Sequence, residues 1–520
     1  MQAKATPYDE VPYPSYTHPQ THPDRLAVLG LLFGLEPARV DRCRVLELGC
    51  GNGSNLVPMA WELPNSEFVG IDLAARPIAE GQRMLNDLRL TNVSLRHGDI
   101  SEINNTWGKF DYIIAHGLFS WIPAQVRERL LDICHQCLSP QGIAFVSYNA
   151  MPGCHLRNML REMLRFHVRD FRSPKEQVDQ AIALTRFLTE AQDSRDEYRL
   201  WMKAELERIL EHDEGHLFHD ELAELNEPLY FTQFIEQAGR HELQYLGEAD
   251  FFEMSDHVFK DTVRQTLKQL ARNRILREQY LDFLKCRRFR QTLLCHRNAE
   301  LQTEPQAEKV SGFFISSAAT CISGIPNLRP GVHCTFETPK GSKIETDFAL
   351  GKSALVRLGS IWPRPLPFDE LLQKALADLK QAGVTDNSDG QPQERLRGFL
   401  LQLYHGGMVE FRTSLPPIVH TVSERPMASP VARWQVQKGQ FVTSLFHIAI
   451  KVEDEIGRGL LSWLDGSLDH SALLEKIQNL LESKNALLPS PGDASAVRRK
   501  LEQELAQNLA KLARLGLLVG

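Results

Sequence analysis

Hydrophobic and polar positions along the chain change period several times. Between residues 45 and 150, short runs rich in β-branched and aromatic residues recur: 45–48, 66–72, 93–100, 110–116 and 143–148. The gaps carry helical periodicity, clearest from Ile78 to Leu88 and from Ala124 to Cys137. Such alternation predicts a parallel, doubly wound α/β sheet of Rossmann-like type, with its ligand at the carboxyl ends of the strands. Beyond it, residues 156–300 follow a mostly helical period, with an acidic stretch from Glu205 to Glu214. Glycines and prolines break this pattern between Gly312 and Pro339. Helices over Pro367–Ala382 and Pro392–His405, then a strand at Met408–Arg412, predict a winged-helix-like unit. A further unit is expected from about 430, with helices over Phe441–Trp463 and Ser471–Ser483, after a proline-rich linker from Ser414 to Pro430.

With 520 residues the chain exceeds a single core. The expected divisions are an N-terminal arm and cap (1–40), a catalytic sheet (41–155), a mainly helical middle domain (156–335), a winged-helix-like domain (340–415) and a C-terminal helical or winged-helix-like domain (430–520).

The chemistry concentrates in Val45-Leu46-Glu47-Leu48-Gly49-Cys50-Gly51-Asn52-Gly53-Ser54-Asn55. A strand runs into a glycine-x-glycine-x-glycine turn and then a helix, the opening of a nucleotide-binding unit. Glu47 lies two residues before the first glycine. A dinucleotide would bring pyrophosphate to that turn, where a carboxylate repels it. S-adenosylmethionine carries an ammonium and a sulfonium and no phosphate, so Glu47 favours a methyl donor over NAD. Asp72 ends the second strand, roughly 20 residues past the turn, at the distance from which a carboxylate reaches ribose hydroxyls. Asp99 ends the third strand and suits an adenine amine. The donor site is therefore expected to comprise Glu47, Gly49, Gly51, Asn52, Gly53 and Asn55 from the first unit. Asp72, Leu73, Asp99, Ile100 and His116 complete it.

The net charge of −7 argues against a general nucleic-acid binder. No apolar run reaches membrane-spanning length, and Met1 to Tyr16 is polar and proline-rich rather than a signal peptide. A soluble, cytoplasmic protein is expected. Nine scattered cysteines fit a reducing compartment, and the pair Cys134/Cys137 reads as buried small residues on a helix rather than zinc ligands. His212, His216, His219 and Asp220 share one helical face, which reads as a hydrated surface or as part of a metal site. No metal is expected. The tyrosines of the Tyr8–Tyr16 stretch form either a cover over a ligand pocket or a pinned tail.

The chain resembles bacterial class I methyltransferases carrying a methyltransferase regulatory domain, whose characterised members are protein lysine methyltransferases acting on outer-membrane proteins. The resemblance rests on Tyr8-Asp9-Glu10-Val11-Pro12-Tyr13-Pro14, Gln20-Thr21-His22-Pro23-Asp24-Arg25-Leu26, the glycine turn, and His116-Gly117-Leu118-Phe119-Ser120-Trp121-Ile122-Pro123. It continues through Ser147-Tyr148-Asn149-Ala150-Met151-Pro152-Gly153, Asn226-Glu227-Pro228-Leu229-Tyr230-Phe231, Arg287 to His296, and Leu464-Asp465-Gly466. It implies that S-adenosylmethionine is the donor, held by Glu47, Gly49, Gly51, Asp72 and Asp99. After the fourth strand stands Ala115-His116-Gly117-Leu118, neither the Asn/Asp-Pro-Pro-aromatic run of adenine and glutamine methyltransferases nor a Pro-Cys pair of the cytosine type.

Methyl transfer to a lysine needs a neutral amine, and an apolar slot provides it by desolvation. Tyr13, His116, Trp121 and Tyr148 are the residues expected to line that slot, with His116 able to accept a proton near neutral pH. About 370 residues follow the fifth strand, an excess suited to a protein substrate, which includes an outer-membrane or surface protein before export. Two alternatives stay open: a small-molecule methyltransferase, and a non-catalytic protein that binds the methyl donor for regulation.

Overall fold

Five of the apolar runs become parallel strands. The computed structural model describes residues 6–192, 196–384, 391–419, 421–483 and 494–520. The strands are β1 (Arg44–Leu48), β2 (Glu67–Asp72), β3 (Val93–His97), β4 (Phe110–Ala115) and β5 (Leu138–Asn149). Two later strands, β6 (Leu243–Glu248) and β7 (Phe289–His296), widen the sheet, with β7 antiparallel to both β5 and β6. The spatial order is β3-β2-β1-β4-β5-β7-β6. The chain leaves β1 first to one side and then to the other. Their carboxyl ends therefore part and leave a crevice between β1 and β4.

The presence of β6 and β7 corrects the reading of 156–335 as one mainly helical unit. Helices His155–Val168, Pro174–Glu190 and Glu197–Leu210 do form a bundle with its own core of Leu160, Leu164, Val178 and Leu206. The remainder to His296 completes the sheet. What hid β7 is its buried polar content. Arg290 is fully buried and donates to Glu248 Oε1 (2.5 Å) and to Asp282 Oδ1 (2.9 Å), and its Cζ stands 3.9 Å from the Phe231 ring centre. A strand carrying Arg290 and Thr292 inward does not read as an apolar run. The cluster ties helix Arg274–Lys285 to the sheet, because a buried guanidinium needs every one of its partners.

Helix Pro23–Leu32 is apolar on two faces. Leu26, Ala27 and Leu29 pack into the sheet's core, whereas Val28 and Leu32 enter the core of the next unit. That unit starts before residue 340: strand Phe314–Ser316 pairs with Leu366–Pro367 and with Glu410–Arg412. Helices Ala349–Ile361, Phe368–Gln381 and Pro392–His405 cover it. Its first strand lies in the stretch read as a break. The last unit packs helices Pro430–Val436, Glu455–Trp463, His470–Ser483 and Ala494–Arg514 around Leu461, Leu473, Leu509 and Leu518. The helix expected over Phe441–Trp463 is instead a hairpin, Phe441–Thr443 with Ala449–Lys451, followed by a helix. The β-branched residues Val442, Thr443 and Ile450 favour that choice. No helix among the described residues is long and apolar enough to cross a membrane.

Candidate active site

A cavity of about 1290 Å³ lies over the crevice. Its floor is the glycine turn. Gly49 and Gly51 adopt φ of 75° and 54°, where a side chain is disfavoured, and with Asn52 they line the cavity. Gly53 does not line it. A Cβ there would stand 2.8 Å from Leu95, so this glycine serves packing, which corrects its expected place in the donor site.

Glu47 is buried at the cavity wall. Asn55 Nδ2 donates to its Oε1 at 2.7 Å, while Oε2 has no partner. Burial pushes the Glu47 carboxyl up to about 8, against the Asn55 hydrogen bond. A buried carboxylate with an orphaned oxygen is stable in its ionised form only beside a cation. An ammonium group meets that need, and a phosphate does not.

Asp72 stands at the end of β2. Its Oδ2 accepts from Gly51 N and its Oδ1 from Ala74 N, both at 2.8 Å. The two N–H groups aim the carboxylate into the cavity and leave each oxygen a lone pair for hydroxyls. Burial raises its pKa, and those two hydrogen bonds oppose the rise. Asp99 Oδ1 accepts from Ser101 N at 2.8 Å, and Leu73 and Ile100 add apolar wall on the same side. The three carboxylates and the two apolar side chains fit a ligand with an ammonium, a ribose and an adenine.

The cavity also has an aromatic lining: Tyr8, Tyr13, Tyr16, His116, Trp121 and Phe289. The tyrosines come from the arm, which crosses the cavity mouth. Its short helix Pro7–Glu10 is fastened to the start of helix Ala75–Leu88, after β2, by Asp9 Oδ1, which accepts from Arg76 N at 2.8 Å. Farther on, Tyr8 stacks on His219 (4.1 Å, 2°), and His219 Nε2 donates to Val11 O at 2.7 Å. The histidine cluster read as a metal or hydrated face is thus the dock for the arm. Gly215 permits the approach, since a Cβ there would stand 2.6 Å from Pro12 O.

His116 follows β4 and stacks on His18 of the arm (3.7 Å, 19°). Burial, then the neighbouring His18, lowers its pKa well below 6.5. It is a neutral wall residue, not the near-neutral proton acceptor expected. Tyr13 is 38% exposed and points its hydroxyl at Asp220 Oδ1 (3.4 Å). Tyr148 does not belong to the site. It packs on Phe234 (4.2 Å) with its hydroxyl 3.3 Å from Thr292 Oγ1, because successive strand residues face opposite sides. Its neighbour Asn149 lines the cavity instead. Sequence reasoning passed over His18, Arg157 and Phe289, and read His216 and Asp220 only as a metal or hydrated face; all of them line the cavity, as does Tyr8 of the arm. The signal for most of them lay in the shared arm and histidine segments, read without their contact.

Comparison with known proteins finds three domain matches. Residues 45–142 match a methyltransferase domain, 213–296 a predicted methyltransferase regulatory domain, and 424–517 the C-terminal winged helix domain of PKMT. The uncharacterized protein RP789 of Rickettsia prowazekii is 30% identical over 512 residues, covering 97% of this chain and 91% of that protein. The chain belongs to the class I methyltransferases with a regulatory domain. The solved structure of PKMT2 from Rickettsia typhi in complex with AdoHcy superposes on this methyltransferase with a TM-score of 0.86. The two are 28% identical, and the match covers 98% of this chain and 100% of that one. A second Rickettsia prowazekii protein, the uncharacterized RP028, is 36% identical over 240 residues, 46% of this chain and 96% of its own. The regulatory-domain match includes the histidine segment that receives the arm, together with β6 and β7.

Proposed function

We propose that this chain is an S-adenosylmethionine-dependent protein lysine N-methyltransferase whose acceptor amine enters along the aromatic wall of the cavity. The observation that carries the reading is the pairing, in one cavity, of an orphaned buried carboxylate oxygen with an aromatic lining. The methyltransferase and PKMT winged-helix matches support it, as does the likeness to an AdoHcy-bound PKMT2.

In this reading Glu47 Oε2 receives the donor's ammonium, Asp72 the ribose hydroxyls and Asp99 the adenine amine, with Leu73 and Ile100 against the base. When bound, S-adenosylmethionine supplies an electrophilic methyl on a sulfonium for in-line attack by an amine. The protein's own part is alignment and exclusion of water. Tyr13, Trp121 and Phe289 enclose the incoming side chain in a poorly solvated channel, which favours the neutral form of a lysine. His116, held neutral, neither repels the positive donor nor supplies a proton. The released proton leaves through the channel mouth, so turnover should rise with pH until the bound amine is neutral.

The protein acceptor is extended, on family resemblance alone, to an outer-membrane or surface protein methylated in the cytoplasm before export. The test is to add the enzyme and methyl-labelled donor to a fractionated cell lysate. Label in protein fractions supports the reading. Label confined to metabolites replaces it with a small-molecule methyltransferase.

A further inference from the structure

The C-terminal winged helix turns its hairpin inward, toward the donor site. The unit is seated by Trp434 Nε1, which donates to Asp87 Oδ2 at 2.9 Å, and by Phe441, whose ring meets Tyr16 of the arm edge-on at 4.9 Å. The hairpin's turn is closed by Ser444 N to Ile448 O (3.0 Å) and fastened to its own domain by Leu445 N to Gly516 O (2.8 Å). At the tip stands His447, 2% exposed, with φ of 58°. That left-handed backbone favours glycine or asparagine, yet the position carries an imidazole.

The imidazole has one hydrogen-bond partner, and it lies 392 residues away in sequence. His447 Nε2 is 2.9 Å from Asn55 Oδ1. The same oxygen accepts from the backbone N–H of His18 at 2.9 Å. A backbone N–H only donates, so the amide orientation is fixed: oxygen toward His18 and His447, nitrogen toward Glu47. His447 therefore donates from Nε2, and its buried Nδ1 has no partner. With Oδ1 facing His18 N, His447 Nε2 and, at 3.2 Å, the Thr21 hydroxyl, Nδ2 reaches Glu47 Oε1 at 2.7 Å and Thr21 Oγ1 at 3.0 Å. Glu47 is left with Oε2 as its only open acceptor.

We propose that His447 is a positioning residue of the methyl-donor site, through which the winged helix holds Asn55 and so aims Glu47 Oε2 at the donor's ammonium. The wing completes a small-molecule site in another domain, and the seating of the C-terminal unit sets donor affinity. The proposal rests on the donor reading given above.

The test is calorimetry on the full chain with two ligands, S-adenosylhomocysteine and 5′-methylthioadenosine. The second lacks the amino-acid end that Glu47 would hold. His447→Gly and His447→Asn both suit the left-handed tip and remove the contact. Each should bind S-adenosylhomocysteine about tenfold more weakly, with little change toward 5′-methylthioadenosine. His447→Gln, which restores an N–H donor, should recover most of that loss. Unchanged affinity in the Gly and Asn variants overturns the proposal. So does an equal loss for both ligands, the mark of general loosening. A wild-type chain that bound neither ligand would overturn the donor reading itself.

Discussion

The two ends of the cavity are made differently. The donor end comes from neighbouring strand ends, and its carboxylates are aimed by backbone N–H groups or by one amide: Asp72 by Gly51 and Ala74, Glu47 by Asn55. The aromatic end is assembled from the arm, the loop after β4, the segment around His216 and the start of β7. Ring stacking and one close backbone approach hold it, with few hydrogen bonds. The first end is organised before any ligand arrives, and the second depends on the arm staying docked. Donor binding and methyl transfer should therefore be separable by mutation.

The largest expected effect is removal of the arm. Deleting residues 1–16, which leaves the His18 N–H on Asn55 in place, should lower kcat/KM on the order of a hundredfold, the cost of losing alignment at the reacting centre. Affinity for S-adenosylhomocysteine should fall by far less, since Glu47 and Asp72 remain. An equal collapse of both would erase the distinction between the ends.

Glu47→Gln probes the donor end and should weaken donor binding about 10- to 100-fold, the range for a hydrogen bond to a charged group. It should also stabilise the donor-free protein. The folded pKa of about 8 exceeds the ordinary 4.5, so the stability gained from the neutral carboxyl is fully present below pH 4.5 and is lost as pH rises through 8. At pH 7 that loss is roughly 3 kcal/mol. Thermal denaturation from pH 5 to 8 should show a flatter decline in the variant than in the wild type. Parallel curves would mean that Glu47 is not buried neutral.

Gly215→Ala places a Cβ against Pro12 O and should displace the arm without touching the donor end. About a tenfold drop in kcat/KM with unchanged donor affinity is expected. His116→Phe is the smallest change: activity within about threefold, and a pH–rate profile still rising without a step near 6.5. A hundredfold loss would restore His116 as a proton acceptor.

The difference between the ends also explains what was legible in the sequence. Glu47, Gly49, Gly51, Asp72 and Asp99 lie in one local pattern whose spacing carries geometric meaning, and all of them line the cavity. Tyr148 misled by a single step of strand alternation, and Asn149 holds the place intended for it. The arm's dock could not be read, because Tyr8 and His219 are 211 positions apart and neither is unusual alone. β7 was missed because its inward residues Arg290 and Thr292 are satisfied by Glu248, a partner that only the fold supplies. The hairpin carrying His447 was hidden because its strands are only three residues each and run on into a helical pattern, too short for a period of two to stand out.

The most direct measurement of the central claim is tandem mass spectrometry of a protein mixture incubated with the enzyme and deuterated-methyl donor, at pH 7 and pH 9. Labelled methyl groups on lysine Nε, more abundant at the higher pH and lost with Glu47→Gln at limiting donor, are the expected result. Label found only on carboxylate or hydroxyl oxygens, or in metabolites alone, would contradict it.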